Sequence, residues 1–211
     1  LLTGYGDIFA VWLDGACGEG PSGQVQRYDW ARYEKVVRTL QPNACLSVCG
    51  PDVRWCGNEA GETRPSEWSV VPARLKDAER VSAASQHADG DEFRLSGLKS
   101  SDLDLGSREA IAGEEALIWY PAEVNTSIRP GWFYHPEEDG RVMFPDALYE
   151  LYLRSVGGNA TFLLNVPPTP EGLIHPADEA ALAGLGARIH QAFERTLFEG
   201  AAPGEIGRAH V

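Results

Sequence analysis

Basic residues are scarce in this chain. Its 211 residues carry 18 Lys plus Arg against 31 Asp plus Glu, a formal net charge of −13 at pH 7 with His neutral. A chain so poor in cations lacks the phosphate-neutralising surface on which nucleic-acid binding rests. No run approaches the ~18 consecutive apolar residues of a membrane-spanning helix, and Leu1 to Asp7 has neither the basic head nor the apolar run of a signal peptide. Neither a nucleic acid nor a membrane is expected as partner. Cysteine is sparse too: Cys17, Cys45, Cys49 and Cys56 are the only four, and their spacing matches neither a CxxC pair nor a zinc-finger ladder. They read as small apolar fillers near buried strands, with a disulfide left open. His87, His135, His175 and His190 are too scattered for a metal site, so no metal or other cofactor is expected. A GxxxxGK[ST] phosphate turn and repeats of fixed period are also missing.

What is present suits a packed domain: 43% apolar residues and six Trp. Ile8 to Leu13 is an unbroken apolar run ending at Asp14-Gly15, the pattern of a parallel strand buried on both faces. Asp29 can cap a helix in which Trp30, Tyr33, Val36, Val37 and Leu40 recur at helical spacing until Gln41-Pro42-Asn43. A second strand, Ala44 to Cys49, completes a βαβ unit, and Gly50 to Gly61 follows as a polar loop. Arg74 to Gly113 is charged and irregular, read as an insertion over one face. Glu115 to Pro121 is a third strand candidate and Ala160 to Val166 a fourth. Pro145 and Pro176 open two further helices, the second with Leu182, Leu185, Ile189, Phe193 and Leu197 on one stripe. This alternation predicts an α/β fold, specifically the second half of a (β/α)8 TIM-like barrel over residues 1–204.

Both ends read as unusual. The chain opens, without Met or helix cap, inside an expected helix that leads straight into a strand, so upstream sequence is expected before Leu1. Ile206 to Val211 resembles the translated read-through of a sequencing adapter, so residues 205–211 are set aside from fold reasoning, His210 with them.

In a barrel of this kind the active site lies at the C-terminal ends of the strands. Asp14 ends the first strand, and the loop after the second carries Asp52, Arg54 and Glu59 to the same face. Adjacent strands lie ~4.8 Å apart, so a loop carboxylate can come within the ~5.5 Å that separates the two carboxyls of a retaining glycosidase. Asp14 suits nucleophilic attack, and Glu59, on a longer side chain in a Gly-flanked loop, suits proton transfer. From spacing alone the blander readings stand beside these: an Asx turn for Asp14, a solvated acid for Glu59, a bridge to Asp52 for Arg54, a core position for Trp132.

Several longer motifs narrow the choice. Asp7 to Ala16, Gly18 to Pro21, Gly50 to Gly61, Glu123 to His135 and Asn159 to Pro168, in this order, resemble the bacterial α-L-fucosidases of glycoside hydrolase family 29. The resemblance runs from Leu1 to about Leu197 and covers the C-terminal half of the family's catalytic barrel. It implies Asp14 as nucleophile and Glu59 as acid/base, 45 residues apart as in the α-1,3/4-linked branch. It further implies sugar contacts from Arg54 and Trp132, with Trp12 and His135 as additional substrate-binding candidates. Trp132, after Pro-Gly in a loop, suits stacking on a pyranose face.

Two departures are local: VWLDGA followed by Cys17 where the family has VWFDGA and Asn, and Val124-Asn125 where it usually has Ala-Asp or Cys-Asp. The family's early pocket strands and C-terminal β-domain are expected outside these residues, so the chain alone is expected to be an inactive, poorly stable fragment. The implied activity is release of terminal α-linked L-fucose from glycans, with retention, without a cofactor, and in a periplasmic or secreted location. Oligomeric state is not readable. A catalytically silent sugar-binding homologue and a different TIM-barrel hydrolase are the alternatives.

Overall fold

The computed structural model describes residues 1–15, 27–65, 67–76 and 106–195. Cys17, the Gly18–Pro21 motif, most of the 74–113 insertion, Leu197 and the 205–211 tail therefore lie outside the described residues.

Strand β1 (Ala10–Leu13) pairs in parallel with β2 (Cys45–Val48) across helix α1 (Trp30–Leu40), the expected βαβ unit. Asp29 caps the helix as expected, its Oδ1 accepting from the Arg32 N–H at 3.0 Å. Three expectations change here. Leu1 to Phe9 forms turns and bends rather than the end of a helix. Only Val37 of the helical stripe is buried, while Tyr33, Val36 and Leu40 stay half-exposed. Strand β1 is shorter than the apolar run and is covered on one face only. Val11 and Leu13 pack with Val37, Ala44 and Leu46, whereas Trp12 points to the opposite face and Phe9 is exposed.

The Gly50–Gly61 segment is not all loop, because β3 (Arg54–Trp55) lies within it. Strands β4 (Val70–Pro72) and β5 (Leu117–Trp119) form an antiparallel pair, and a single helical turn, α2 (Arg108–Ile111), is capped by Ser107. The third strand expected at Glu115 to Pro121 thus belongs to this side pair. The main sheet is instead continued by β6 (Ala122–Ser127), parallel to β3 on one side and to β7 (Ala160–Asn165) on the other. A parallel bridge between Ser47 and Val53 joins β2 to β3. The class is α/β, but the described strands form small sheets of two, three and two rather than a closed wall. Because all pairings outside the side pair are parallel, β1, β2, β3, β6 and β7 end along one edge.

Alternation along β6 divides that sheet into two faces. Ala122 and Val124 pack with Cys56, Ala160 and Phe162, while Glu123 and Asn125 make their hydrogen bonds on the other side. Helices α3 (Pro145–Ser155) and α4 (Pro176–Phe193) begin at their prolines as expected, and bury Leu148, Ala181 and Leu185 with Ile128. They approach closely at Gly184, where a Cβ would lie 2.5 Å from the Pro145 Cγ. Gly184→Val is therefore expected to lower the unfolding free energy by about 1–3 kcal/mol. Gly186→Ala, facing open space on the same helix, should raise it by about 0.5–1 kcal/mol. Urea denaturation of both variants checks the pair. Among the described residues, no helix is long and apolar enough to cross a membrane.

Candidate active site

Asp14 follows β1 directly and is exposed at the C-terminal edge. The neighbouring strand end is held tightly against it: the Cys49 N–H donates to the Leu13 carbonyl at 3.2 Å, and Val48 is forced to φ +67°. A β-branched residue at positive φ costs on the order of 1–3 kcal/mol, and such strain gathers at functional sites. Cys49 does not compete as a nucleophile. Burial, with the Asp14 charge adding to it, pushes its thiol up to about 12. Cys45, Cys49 and Cys56 are all free, the last two buried as expected for fillers.

Glu59 sits in the turn after β3, also exposed. Gly57 and Gly61 flank it at φ +89° and +72°, conformations that side chains disfavour. The Asn58 Oδ1 accepts from the Ala60 N–H, the Asn58 Nδ2 donates to the Glu62 carbonyl, and the Gly61 N–H donates to the Asn125 carbonyl of β6. The turn is thus pinned to the sheet. Its carboxylate is pinned as well, since the Glu59 Oε2 accepts from the Trp132 Nε1–H at 3.3 Å.

Trp132 is carried by the segment after β6, and the ends of β6 and β7 hold that segment. The Ser127 hydroxyl donates to the Gly131 carbonyl at 2.6 Å, and the Asn165 Nδ2 donates to the Trp132 carbonyl at 3.0 Å. Below it Arg129 is fully buried, paired with Asp178 of α4 through Nε and Nη2 and with Asp139 through Nη1. Its guanidinium lies 4.8 Å over the Tyr134 ring. His135 is exposed and precedes a 3-10 helix (Pro136–Arg141), and its carbonyl accepts from Arg129. His175, not singled out in the sequence, caps α4 by accepting the Ala177 N–H on Nδ1.

Asp52 and Arg54, which the sequence offered beside Asp14, are each engaged in an ion pair with another residue. Asp52 turns to α1, where the Arg38 guanidinium donates to both its oxygens at 2.6 Å. Arg54 turns into the core and pairs with buried Glu67, its Nε and Nη2 donating to the Tyr120 and Trp68 carbonyls. At 4% exposure Arg54 has no surface left for a sugar. Alternation explains this: Arg54 lies on the Cys56 face of β3, and Trp55 on the face of Glu123 and Asn125. Glu67 is unsuited to proton donation. Burial alone would push its carboxyl up, but Arg54 and Arg64 outweigh that and hold it below the usual carboxylate range.

On the face that Trp55 shares, two indoles are tied to β6. The Trp12 Nε1–H donates to the Glu123 Oε1 at 2.6 Å, and the Trp55 Nε1–H donates to the Asn125 Oδ1 at 2.7 Å. Glu123 was not picked out by sequence reasoning. The available signal was an acid alternating with Ala122 and Val124 just after Pro121. Burial pushes its carboxyl up, and hydrogen bonds from Trp12 and Ser47 oppose the shift. The cleft between α1 and the turn after β2, bounded by Leu13, Trp30, Cys49 and Pro51, includes neither Asp14 nor Glu59. Among the described residues, no three His, Cys, Asp or Glu side chains gather as a metal site.

Asp14 and the Trp132-tethered Glu59 thus lie past the C-terminal ends of β1 and β3, on one edge of the parallel strands. The family model described as alpha-L-fucosidase matches residues 1–192, and the chain belongs to that family. It is 36% identical over 201 residues to alpha-L-fucosidase 1 of Arabidopsis thaliana, covering 93% of this chain and 34% of that protein. Among solved structures it is similar to a Bacteroides ovatus protein assigned as an alpha-L-fucosidase, with TM-score 0.74 and 40% identity over 92% of this chain and 32% of the other. It is also similar to a Ruminococcus gnavus family 29 fucosidase in complex with fucose, with TM-score 0.63 and 25% identity over 90% of this chain and 35% of the other. The chain thus spans about a third of the length of these relatives.

Proposed function

We propose that these residues supply the nucleophile and the acid/base of a retaining exo-α-L-fucosidase. The observation that carries this reading is the placement of Asp14 and the Trp132-tethered Glu59 on one edge of the parallel strands, in a chain of the α-L-fucosidase family. Asp14 attacks C1 of the terminal fucose while Glu59 protonates the departing oxygen, and Glu59 then deprotonates the water that releases the sugar. Trp132 orients the Glu59 carboxylate through its indole N–H. The exposed parts of Trp132 and Trp12 suit stacking against the sugar, and His135 stands in the same segment as Trp132. Arg54 serves this site by holding its loop rather than by touching substrate.

The parallel strands fit part of a (β/α)8 barrel, which would place the carboxylates at its catalytic face. Their 45-residue separation in sequence favours the branch acting on α-1,3/4-linked fucose. The substrate is then a fucosylated oligosaccharide or glycoconjugate. The test is p-nitrophenyl α-L-fucoside hydrolysis by the full-length protein. Lack of turnover, with fucose still bound, would mark a sugar-binding homologue instead. Glu59→Ala is expected to slow hydrolysis of natural fucosides by roughly 10²–10⁴-fold while sparing substrates whose leaving group needs no proton. Equal losses on both kinds of substrate would remove Glu59 from the acid role.

A further inference from the structure

Glu123 is the one buried carboxylate among the described residues that faces the tryptophan side of the sheet, and the two-carboxylate chemistry makes no use of it. It lies on β6, 5% exposed, and receives the Trp12 indole N–H at 2.6 Å. That bond spans 111 positions in sequence and crosses from β6 over the intervening β3 and β2 to β1. Ser47 of β2, the register partner of Trp12, gives Glu123 a second hydrogen bond.

Trp12 lies in β1 and Asp14 is the first residue past its end, two positions along the chain, so the indole and the carboxylate are neighbours at this strand end. Trp12 keeps 38% of its surface exposed even though its ring nitrogen is tied down. An indole on a strand has two side-chain torsions, and the strand backbone alone does not choose between their wells. The hydrogen bond to a carboxylate does, because only one ring orientation brings Nε1 to the Glu123 Oε1. Asn125 repeats the device two residues along, holding Trp55 in the same way.

We propose that Glu123 is a positioning residue for sugar recognition: it fixes the Trp12 indole so that the exposed ring forms the wall of the sugar site next to Asp14. The proposal rests on the reading of Asp14 as the catalytic nucleophile. Glu123 touches neither reacting carboxylate in this scheme and acts through Trp12.

A double-mutant cycle in the full-length protein tests it, with p-nitrophenyl α-L-fucoside as substrate. Glu123→Leu removes the acceptor and should raise KM about tenfold, the effect of losing one charge-assisted hydrogen bond, with a much smaller change in kcat. Glu123→Gln retains an acceptor oxygen and should bring KM back to within about threefold of the parent, the effect of ~0.7 kcal/mol. In a Trp12→Phe background, Glu123→Leu should cost nothing further in KM, because the group it positions has gone. Thermal melts of each variant separate loss of fold from loss of binding. Additive KM losses, or a Gln variant as impaired as the Leu variant, would overturn the proposal. Asp14→Ala serves as the control on the underlying reading: if it keeps full turnover, the nucleophile has been misplaced, whatever Glu123 does. If it is inactive while Glu123→Leu has parental KM, the positioning role alone is lost.

Discussion

Replacing Asp14 by Ala in the full-length protein is expected to reduce turnover of α-L-fucosides by on the order of 10⁴-fold or more, as when the attacking group of a covalent mechanism is deleted. Asp14 sits on the rigid end of a strand, where the neighbouring chain is fixed to Leu13 by the Cys49 N–H, so the truncation leaves a small void rather than a rearranged loop. Azide should enter that void. Attack of azide on C1 forms the C1–N bond as the C1–O bond breaks, with Glu59 delivering the proton to the departing oxygen. Azide approaches from the face that Asp14 has vacated, and no second displacement follows. The product should therefore be fucosyl azide of inverted configuration, identified by NMR of the reaction mixture. An azide product of retained configuration, or a variant keeping more than about a tenth of parental activity against that 10⁴-fold expectation, would move the nucleophile elsewhere.

The second large effect is on stability. Arg129→Ala strips the fork-shaped partner from Asp178, whose side chain is completely buried, and also leaves Asp139 without its guanidinium contact. Breaking a buried pair from one side typically costs about 3–5 kcal/mol, a large share of the ~5–15 kcal/mol that holds a domain together. The denaturation midpoint should fall accordingly. Arg129→Lys keeps the charge but loses the bidentate geometry, so it should recover only part of the loss. Because Arg129 anchors the start of the segment that carries Trp132 to α4, substrate affinity should fall with stability. A midpoint within the scatter of the parent protein for Arg129→Ala would show that this network carries no net stability.

Helices and flanking strands were legible where one face is apolar and a terminus is marked. Asp29 announced α1, Pro145 and Pro176 announced α3 and α4, and the Ala160–Val166 run announced β7. Strand β6 escaped because both its faces are buried but one is polar: Glu123, Asn125 and Ser127 interrupt the apolar run that would otherwise mark it. The carboxylates at the edge could be named from a strand end and a Gly-flanked loop. Their neighbours could not, because each contact that decides a role is remote in sequence. Arg54 was offered Asp52 by proximity, but β-strand alternation turned it to Glu67 and left Asp52 to Arg38. Glu59 and Trp132 meet across 73 positions, and Trp12 and Glu123 across 111. No local pattern encodes such pairings.

The tethering of Trp12, Trp55 and Trp132 has one more consequence. Each ring's only donor is already committed to a carboxylate or amide of the protein itself. Whatever these rings meet, they meet with flat hydrocarbon surface and a diffuse negative face, not with a directional proton. Against a hexose such surfaces sense the face on which C–H bonds cluster and the methyl group of a 6-deoxy sugar, and give no hydrogen bond to a hydroxyl. Hydrogen-bonded recognition of the C2, C3 and C4 hydroxyls must therefore come from groups other than these indoles, which choose between epimers only through the C–H face each one presents.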